Sequence, residues 1–209
     1  MENKNNLLFR AMEPGDEYLL FEMENRPEAF RLGETRVPYS LDYLRHFVES
    51  SLSDNFISSG QLRLIVCQPP APNSRRKTLT GKPPAGPDNP DHAETAANRH
   101  ESARAWSLPP IGILDFFNYE ALHLRAEIGI LLFPESRHQG LGEKILAQAC
   151  SYARNQLNLH QLYAQVRTDN PASLKLFESC GFDRCDYRKD WIRAGNRWID
   201  IIGLQRILG

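Results

Sequence analysis

The sequence has little cysteine, and none of it is paired. Cys67, Cys150, Cys180 and Cys185 form no CxxC pair, and no Cys/His spacing matches a structural zinc site, so no metal is expected. They read as reduced thiols and predict a cytoplasmic setting. There is no surplus of positive charge either. The 25 Lys and Arg face 26 Asp and Glu, a formal net charge of -1. That balance excludes the broad positive field of a nonspecific nucleic-acid binder. No apolar run approaches the roughly 20 residues that span a bilayer, and the polar start MENKNN carries no signal-peptide pattern. Nucleic acid and membrane are therefore not expected partners. The hydrophobic content of 41% and charged content of 24% fit a soluble globular chain.

Proline is the residue in excess. Nine of the 14 prolines fall between Gln68 and Pro110, where Leu79, Trp106 and Leu108 are the large apolar residues. Such a stretch buries too little apolar surface to offset the entropy of ordering it. Strand patterns flank it, LRLIVC over Leu62–Cys67 and IGILDFF over Ile111–Phe117. The expectation is one domain over residues 1–209 with a disordered, Pro-rich insertion at 68–110. A long loop at a hairpin tip is tolerated because closure entropy grows only logarithmically with length.

The rest of the chain alternates strand and helix signals. LLFRA (7–11) predicts a first strand, and Asp16 a helix cap before Leu19, Leu20 and Met23. Ser40 predicts a second cap, with Leu41, Leu44, Phe47 and Val48 as the buried stripe. Ala126–Phe133 is too apolar for a sheet edge and predicts a central strand ended by Pro134. A helix from Gly140, a strand over Leu162–Arg167 and a helix from Asn170-Pro171 to Gly181 follow. Strands over Arg184–Arg193 and Arg197–Ile207 close the chain. The order β-α-α-β-β-β-α-β-α-β-β predicts an α+β, three-layer α/β/α fold. Its mixed, mostly antiparallel sheet has about seven strands and helices on both faces.

The turn between the apolar strand and the next helix carries the chemistry. Arg137-His138-Gln139-Gly140-Leu141-Gly142-Glu143 sets glycines at a helix start, where unpaired N–H groups and the positive dipole end favour a diphosphate. A simple tight turn would also need glycine. No Walker loop is present, and the dinucleotide motif fails at Ile145.

Arg137-x-x-Gly140-x-Gly142 after an apolar strand resembles the (Gln/Arg)-x-x-Gly-x-(Gly/Ala) motif of the GNAT N-acetyltransferases. Asn170-Pro-Ala-Ser173-Leu-Lys-Leu-Phe177-Glu-Ser-Cys-Gly181-Phe182 is similar to that family's second signature. The stretches Leu157–Tyr163 and Gly195–Asp200 look like its spermidine/ribosomal-protein branch. The resemblance covers nearly all of the chain outside the insertion. It implies acetyl-CoA as cosubstrate and acetyl transfer to a primary amine, by direct attack in a ternary complex.

By resemblance, the backbone of His138, Gln139, Gly140, Leu141, Gly142 and Glu143 holds the pyrophosphate, next to Arg137. Leu131, Leu132 and Phe133 run beside the pantetheine arm, Asn170 contacts the cosubstrate, and Phe177 stands where many relatives carry an acidic Tyr. Ser173 matches a serine proposed as the acid in the ribosomal branch, and a plain first-turn helix residue is its other reading. Glu127 is the first candidate for the base, against a strand carboxylate paired with Arg125 or another cation. Glu120 and His123 are alternative relays, and Tyr187 a weaker acid. Cys180 lacks a visible activating base, which disfavours a ping-pong route.

Residues 1–60 carry an acidic excess that includes Glu22, Glu24, Glu28 and Glu34, which favours a cationic acceptor. The expected acceptor is a polyamine or diamine. A protein N-terminus or an aminoglycoside-like amine is the alternative, with Phe30, Tyr39 and Tyr43 as candidate pocket aromatics. The alternative of another class is a non-catalytic, CoA-binding regulatory module. Arg75-Arg76-Lys77 reads as a solubilising run. A homodimer is compatible with the sequence.

Overall fold

The computed structural model describes residues 7–27, 37–53, 55–69 and 108–209. Seven strands form within them: β1 (Leu8–Ala11), β2 (Leu62–Cys67), β3 (Pro110–Glu120), β4 (Arg125–Leu132), β5 (Gln161–Arg167), β6 (Asp183–Ala194) and β7 (Arg197–Ile207). The described helices are α1 (Asp16–Glu24), α2 (Leu41–Ser53), α3 (Phe56–Ser59), α4 (Leu141–Asn155) and α5 (Pro171–Ser179), with a 3-10 turn at Pro134–Ser136. The strands lie in one sheet in the order β1-β2-β3-β4-β5-β7-β6, and β4 with β5 is its one parallel pair.

Alternation along the strands divides the core into two layers. Leu64, Val66, Leu114, Phe116, Ala126 and Ile128 pack with Leu141, Ile145, Leu146 and Ala149 of α4 and with Leu174 and Phe177 of α5. Ile65, Cys67 and Ile113 point the other way, onto Leu20 and Met23 of α1 and Leu44 and Val48 of α2. The central sheet is thus covered on both faces, as the element order predicts.

Most local signals act as read. The Ser40 hydroxyl accepts from the Tyr43 N–H at 3.1 Å, and the Asn170 side chain accepts from the Ser173 N–H at 3.2 Å. Gly181 ends α5 in the left-handed region at φ 77. Asp16 differs from expectation. Gly15 is the cap of α1, and Asp16 stands inside the first turn, where it accepts from the Glu13 N–H and twice from Arg10. The strand β1 brings Arg10 to that carboxylate, so a tertiary ion pair takes the place of a simple cap. The four-residue α3, capped by Asn55, had no periodicity to announce it.

β2 and β3 pair antiparallel with Cys67 opposite Pro110, and the Gln68 N–H donates to the Pro109 carbonyl at 3.3 Å. The connection between them therefore leaves and returns at one end of the sheet. Residues 70–107 of the expected insertion, with Arg75, Arg76 and Lys77, lie outside the described residues. At its far border Pro110 already opens β3, a place where a residue without an N–H is tolerated, and Leu108 packs on the α1–α2 layer.

Candidate active site

The parallel pair is short. Arg125, Ala126 and Glu127 pair with Gln161, Leu162 and Tyr163, yet β4 continues to Leu132 and β5 to Arg167. Beyond Glu127, β4 follows β3 and β5 follows β7, so the two strands part. The wedge between them opens into a cleft of about 1010 Å³. Its walls are Ile128–Leu132 of β4 with Phe133 after it, Ala164–Arg167 of β5, the first turns of α5, and residues of α1 and α2. Since β5 does not pair with β4 past Glu127, that edge of β4 can offer peptide groups to a ligand.

At the far end of β4 the chain turns tightly into α4. The Arg137 guanidinium donates to the Leu132 carbonyl at 3.0 Å. His138 and Gly140 both take left-handed angles, φ 59 and φ 70. Gly140 caps α4, and no side chain hydrogen-bonds that cap, so the first-turn amides and the positive end of the helix face outward. A Cβ on Gly140 would meet nothing within 4 Å, so its backbone angle is what calls for glycine.

Gly142 departs from the expectation of close ligand approach. A Cβ there would sit 3.2 Å and 3.3 Å from the two methyl carbons of Leu176, so the missing side chain serves the packing of α4 on α5. Leu141 turns its side chain into the core. Residues 138–143 stand outside the cleft, whose lining on this side stops at Pro134 and Arg137.

Glu127 lies at the apex of the wedge, 6% exposed, and lines the cleft. Arg125, the expected partner, is bound instead by Glu120 through two hydrogen bonds of 2.8 Å. The Asn118 amide donates to Glu127 Oε2 at 3.1 Å and the Gln165 amide donates to the same oxygen at 3.3 Å. Burial, with Glu127 and Glu120 nearby, pushes the Tyr163 phenol above its ordinary range. Glu120, held in place by Arg125, and His123 do not line the cleft.

Asn170, Ser173 and Phe177 all line the cleft from α5. The Phe177 ring is buried edge-on against Phe182, with centroids 5.0 Å apart. Ser173 precedes Phe177 by one helical turn and so shares its face. Tyr187 stands elsewhere, exposed, with its hydroxyl donating to Asp200 and its proton held more tightly by that carboxylate. Burial pushes all four thiols up from their ordinary range, Cys180 among them, which disfavours the thiolate.

The other end of the cleft is aromatic and charged. Arg63 donates to Asp115 at 2.7 Å and 2.9 Å and to Glu24 at 2.9 Å, and its guanidinium lies over the Phe47 ring. Tyr39 and Tyr43 stack at 5.3 Å and both line the cleft. Of the expected steering carboxylates, Glu24 is bound to Arg63 and Glu22 to Arg26, while Glu28, Glu34 and Phe30 fall outside the described residues.

Sequence reasoning missed Asn118, Gln165 and the Arg63 cluster. Asn118 had one signal, a polar residue apt for left-handed angles inside an apolar strand.

The acetyltransferase (GNAT) domain model matches residues 6–183, and the chain belongs to that family. Acetyl-CoA is the acyl donor that this family uses. The chain is similar to the spermidine N(1)-acetyltransferase of Vibrio cholerae, 33% identical over 72 residues, which are 34% of this chain and 42% of that one. It is also similar to the spermidine N(1)-acetyltransferase of Escherichia coli K12, 30% identical over 71 residues, 34% and 38% of the two chains. The matches thus span about two-fifths of these relatives' length. A solved structure of spermidine N-acetyltransferase from Vibrio cholerae, in complex with CoA and spermine, shares the fold with a TM-score of 0.73. It is 20% identical and covers 97% of this chain and 96% of that one. Among the described residues no helix is long and apolar enough to cross a membrane.

Proposed function

We propose that the protein transfers an acetyl group from acetyl-CoA to a primary amine, most plainly a polyamine or diamine. The observation that carries this reading is Glu127, a buried carboxylate at the point where β4 and β5 part. Backbone of β4 around Leu131, Leu132 and Phe133 aligns the pantetheine arm, and the open first turn of α4, with Arg137 and residues 138–143, takes the diphosphate. A β4 N–H also faces the developing oxyanion, a contribution of about 2.7–4 kcal/mol per donor.

Glu127 accepts a proton from the amine nitrogen, which attacks the thioester carbon. The C–N bond forms, the C–S bond breaks, and its electron pair goes to sulfur. Ser173 supplies the proton that the sulfur takes up and regains one from water. The proton held by Glu127 returns to that water, so the carboxylate is restored and no net proton is consumed. It is the hydroxyl on the α5 face where Phe177 has none. Holding both substrates in one cleft supplies much of the remaining acceleration.

A polyamine suits the acceptor end because the aromatic rings of Tyr39, Tyr43 and Phe47 line it and can face a cation. The spermidine acetyltransferases among its relatives support the same acceptor. Four free thiols suit a reducing compartment, and we place the enzyme in the cytoplasm. The test is thiol release from acetyl-CoA with spermidine, putrescine, an aminoglycoside and a peptide offered separately. Spermidine or putrescine is expected to turn over fastest. Preference for the peptide would move the acceptor to a protein N-terminus, and tight acetyl-CoA binding without any turnover would mark a regulatory module.

A further inference from the structure

Glu127 is buried, but the two amides that cover it stand exposed at the cleft wall. Asn118 reaches it through a break in the β3–β4 ladder, where the register shifts between Phe117 and Glu120. At that bulge Asn118 adopts φ 50, a left-handed angle, and its Nδ2 turns onto Glu127 Oε2. Bulges that re-aim a single side chain recur beside active sites.

Gln165 comes from the opposite strand, beyond the last β4–β5 pair, and donates to the same oxygen. Its orientation is fixed from behind. Arg188 of β6 donates to Gln165 Oε1 at 2.9 Å, and a guanidinium only donates, so the amide nitrogen must face the carboxylate. Arg188 is itself anchored by Asp186 at 2.7 Å and lies over the Trp191 ring at 4.9 Å.

We propose that Asn118 and Gln165 are positioning residues for acetyl transfer: their amides fix the Glu127 carboxylate, in its ionised form, toward the acceptor nitrogen. The proposal rests on Glu127 as the base. Two donors on one oxygen restrict rotation of the carboxylate. Both favour its charged form, while neutral amides lower its proton affinity less than a cation in the same place would. Other ionisable groups around the site are Tyr163 on β5, Asp115 and Glu120 on β3, Arg125 on β4 and Arg188 on β6. Arg63 of β2 and Glu24 of α1 lie beyond Asp115.

Two variants on different strands test the idea. Asn118→Gly keeps a residue suited to φ 50 and removes the amide, and Gln165→Met keeps the chain length and removes the amide. In the full-length protein with CoA bound, the Glu127 carboxyl is titrated by carbon NMR, and its midpoint is expected to rise in both variants. With acetyl-CoA and spermidine, kcat is expected to fall on the order of 10-fold to 100-fold, with KM for acetyl-CoA unchanged. The acidic limb of the pH–rate profile moves to higher pH, because losing a donor to the charged form raises the carboxyl pKa. Gln165→Asn, a shorter amide, should restore less than Gln165 itself and more than Met. An unchanged Glu127 midpoint in both variants overturns the proposal. Full activity of Glu127→Gln instead overturns Glu127 as the base, and the two failures are thereby told apart.

Discussion

Glu127 is a carboxylate within the apolar run Ala126–Leu132 of β4, and burial at 6% exposure would be costly without hydrogen-bond partners. Asn118 and Gln165 supply those partners and leave the carboxylate within the cleft wall. The acid role proposed for Ser173 is smaller and can be measured separately. Ser173→Ala is expected to lower kcat by less than Glu127→Gln does, since a thiol with an ordinary pKa near 8.5 leaves without a dedicated acid. Equal losses in the two variants would make Ser173 as central as the base. Glu127 was legible as a candidate because one acid interrupts an apolar run. Its partners were not. They come from a bulge nine residues earlier and from a strand 38 residues later, contacts that no local pattern encodes.

The elements that define the site depend on packing as much as on caps. Asn170 caps α5 through the Ser173 N–H, so Asn170→Ala is expected to cost about 1 kcal/mol in thermal unfolding. Gly142 is the tighter constraint, because a Cβ there already crowds Leu176. Gly142→Leu should force α4 away from α5, cost about 1–3 kcal/mol and weaken acetyl-CoA binding by calorimetry. Retained affinity at full stability would show that α4 tolerates the shift. Caps at Ser40, Asn170 and Gly181 were legible because each acts within its own turn. The role of Asp16 was not, since Arg10 reaches it only after β1 has paired with β2. The glycine at 142 was visible, but its reason lies in Leu176, across the interface between two helices.

For the whole molecule, fold class and the succession of strands and helices were legible because alternating and helical periods follow one another along the chain with clear turns, whereas the order of strands within the sheet was not read. The parting of β4 from β5 was not, because it arises from each strand following a different neighbour. That parting makes the cleft, which runs from Pro134 and Arg137 at one end to the aromatic and charged side chains of Tyr39, Tyr43, Phe47 and Arg63 at the other. The connection from β2 to β3 leaves and returns at one end of the sheet, and among the described residues the cleft lining takes nothing from it. Replacing residues 70–107 with a short turn is therefore expected to leave acetyl-CoA binding intact by calorimetry. Loss of binding would make the segment part of the site. The central role proposed at this site is that of Glu127 as the base in direct acetyl transfer. Its most direct test is thiol release from acetyl-CoA in the presence of spermidine, with wild-type protein beside Glu127→Gln. Release by the wild type, slowed in the variant by roughly 10²- to 10⁴-fold with acetyl-CoA affinity unchanged, is the predicted result. Release at the wild-type rate by Glu127→Gln would contradict it.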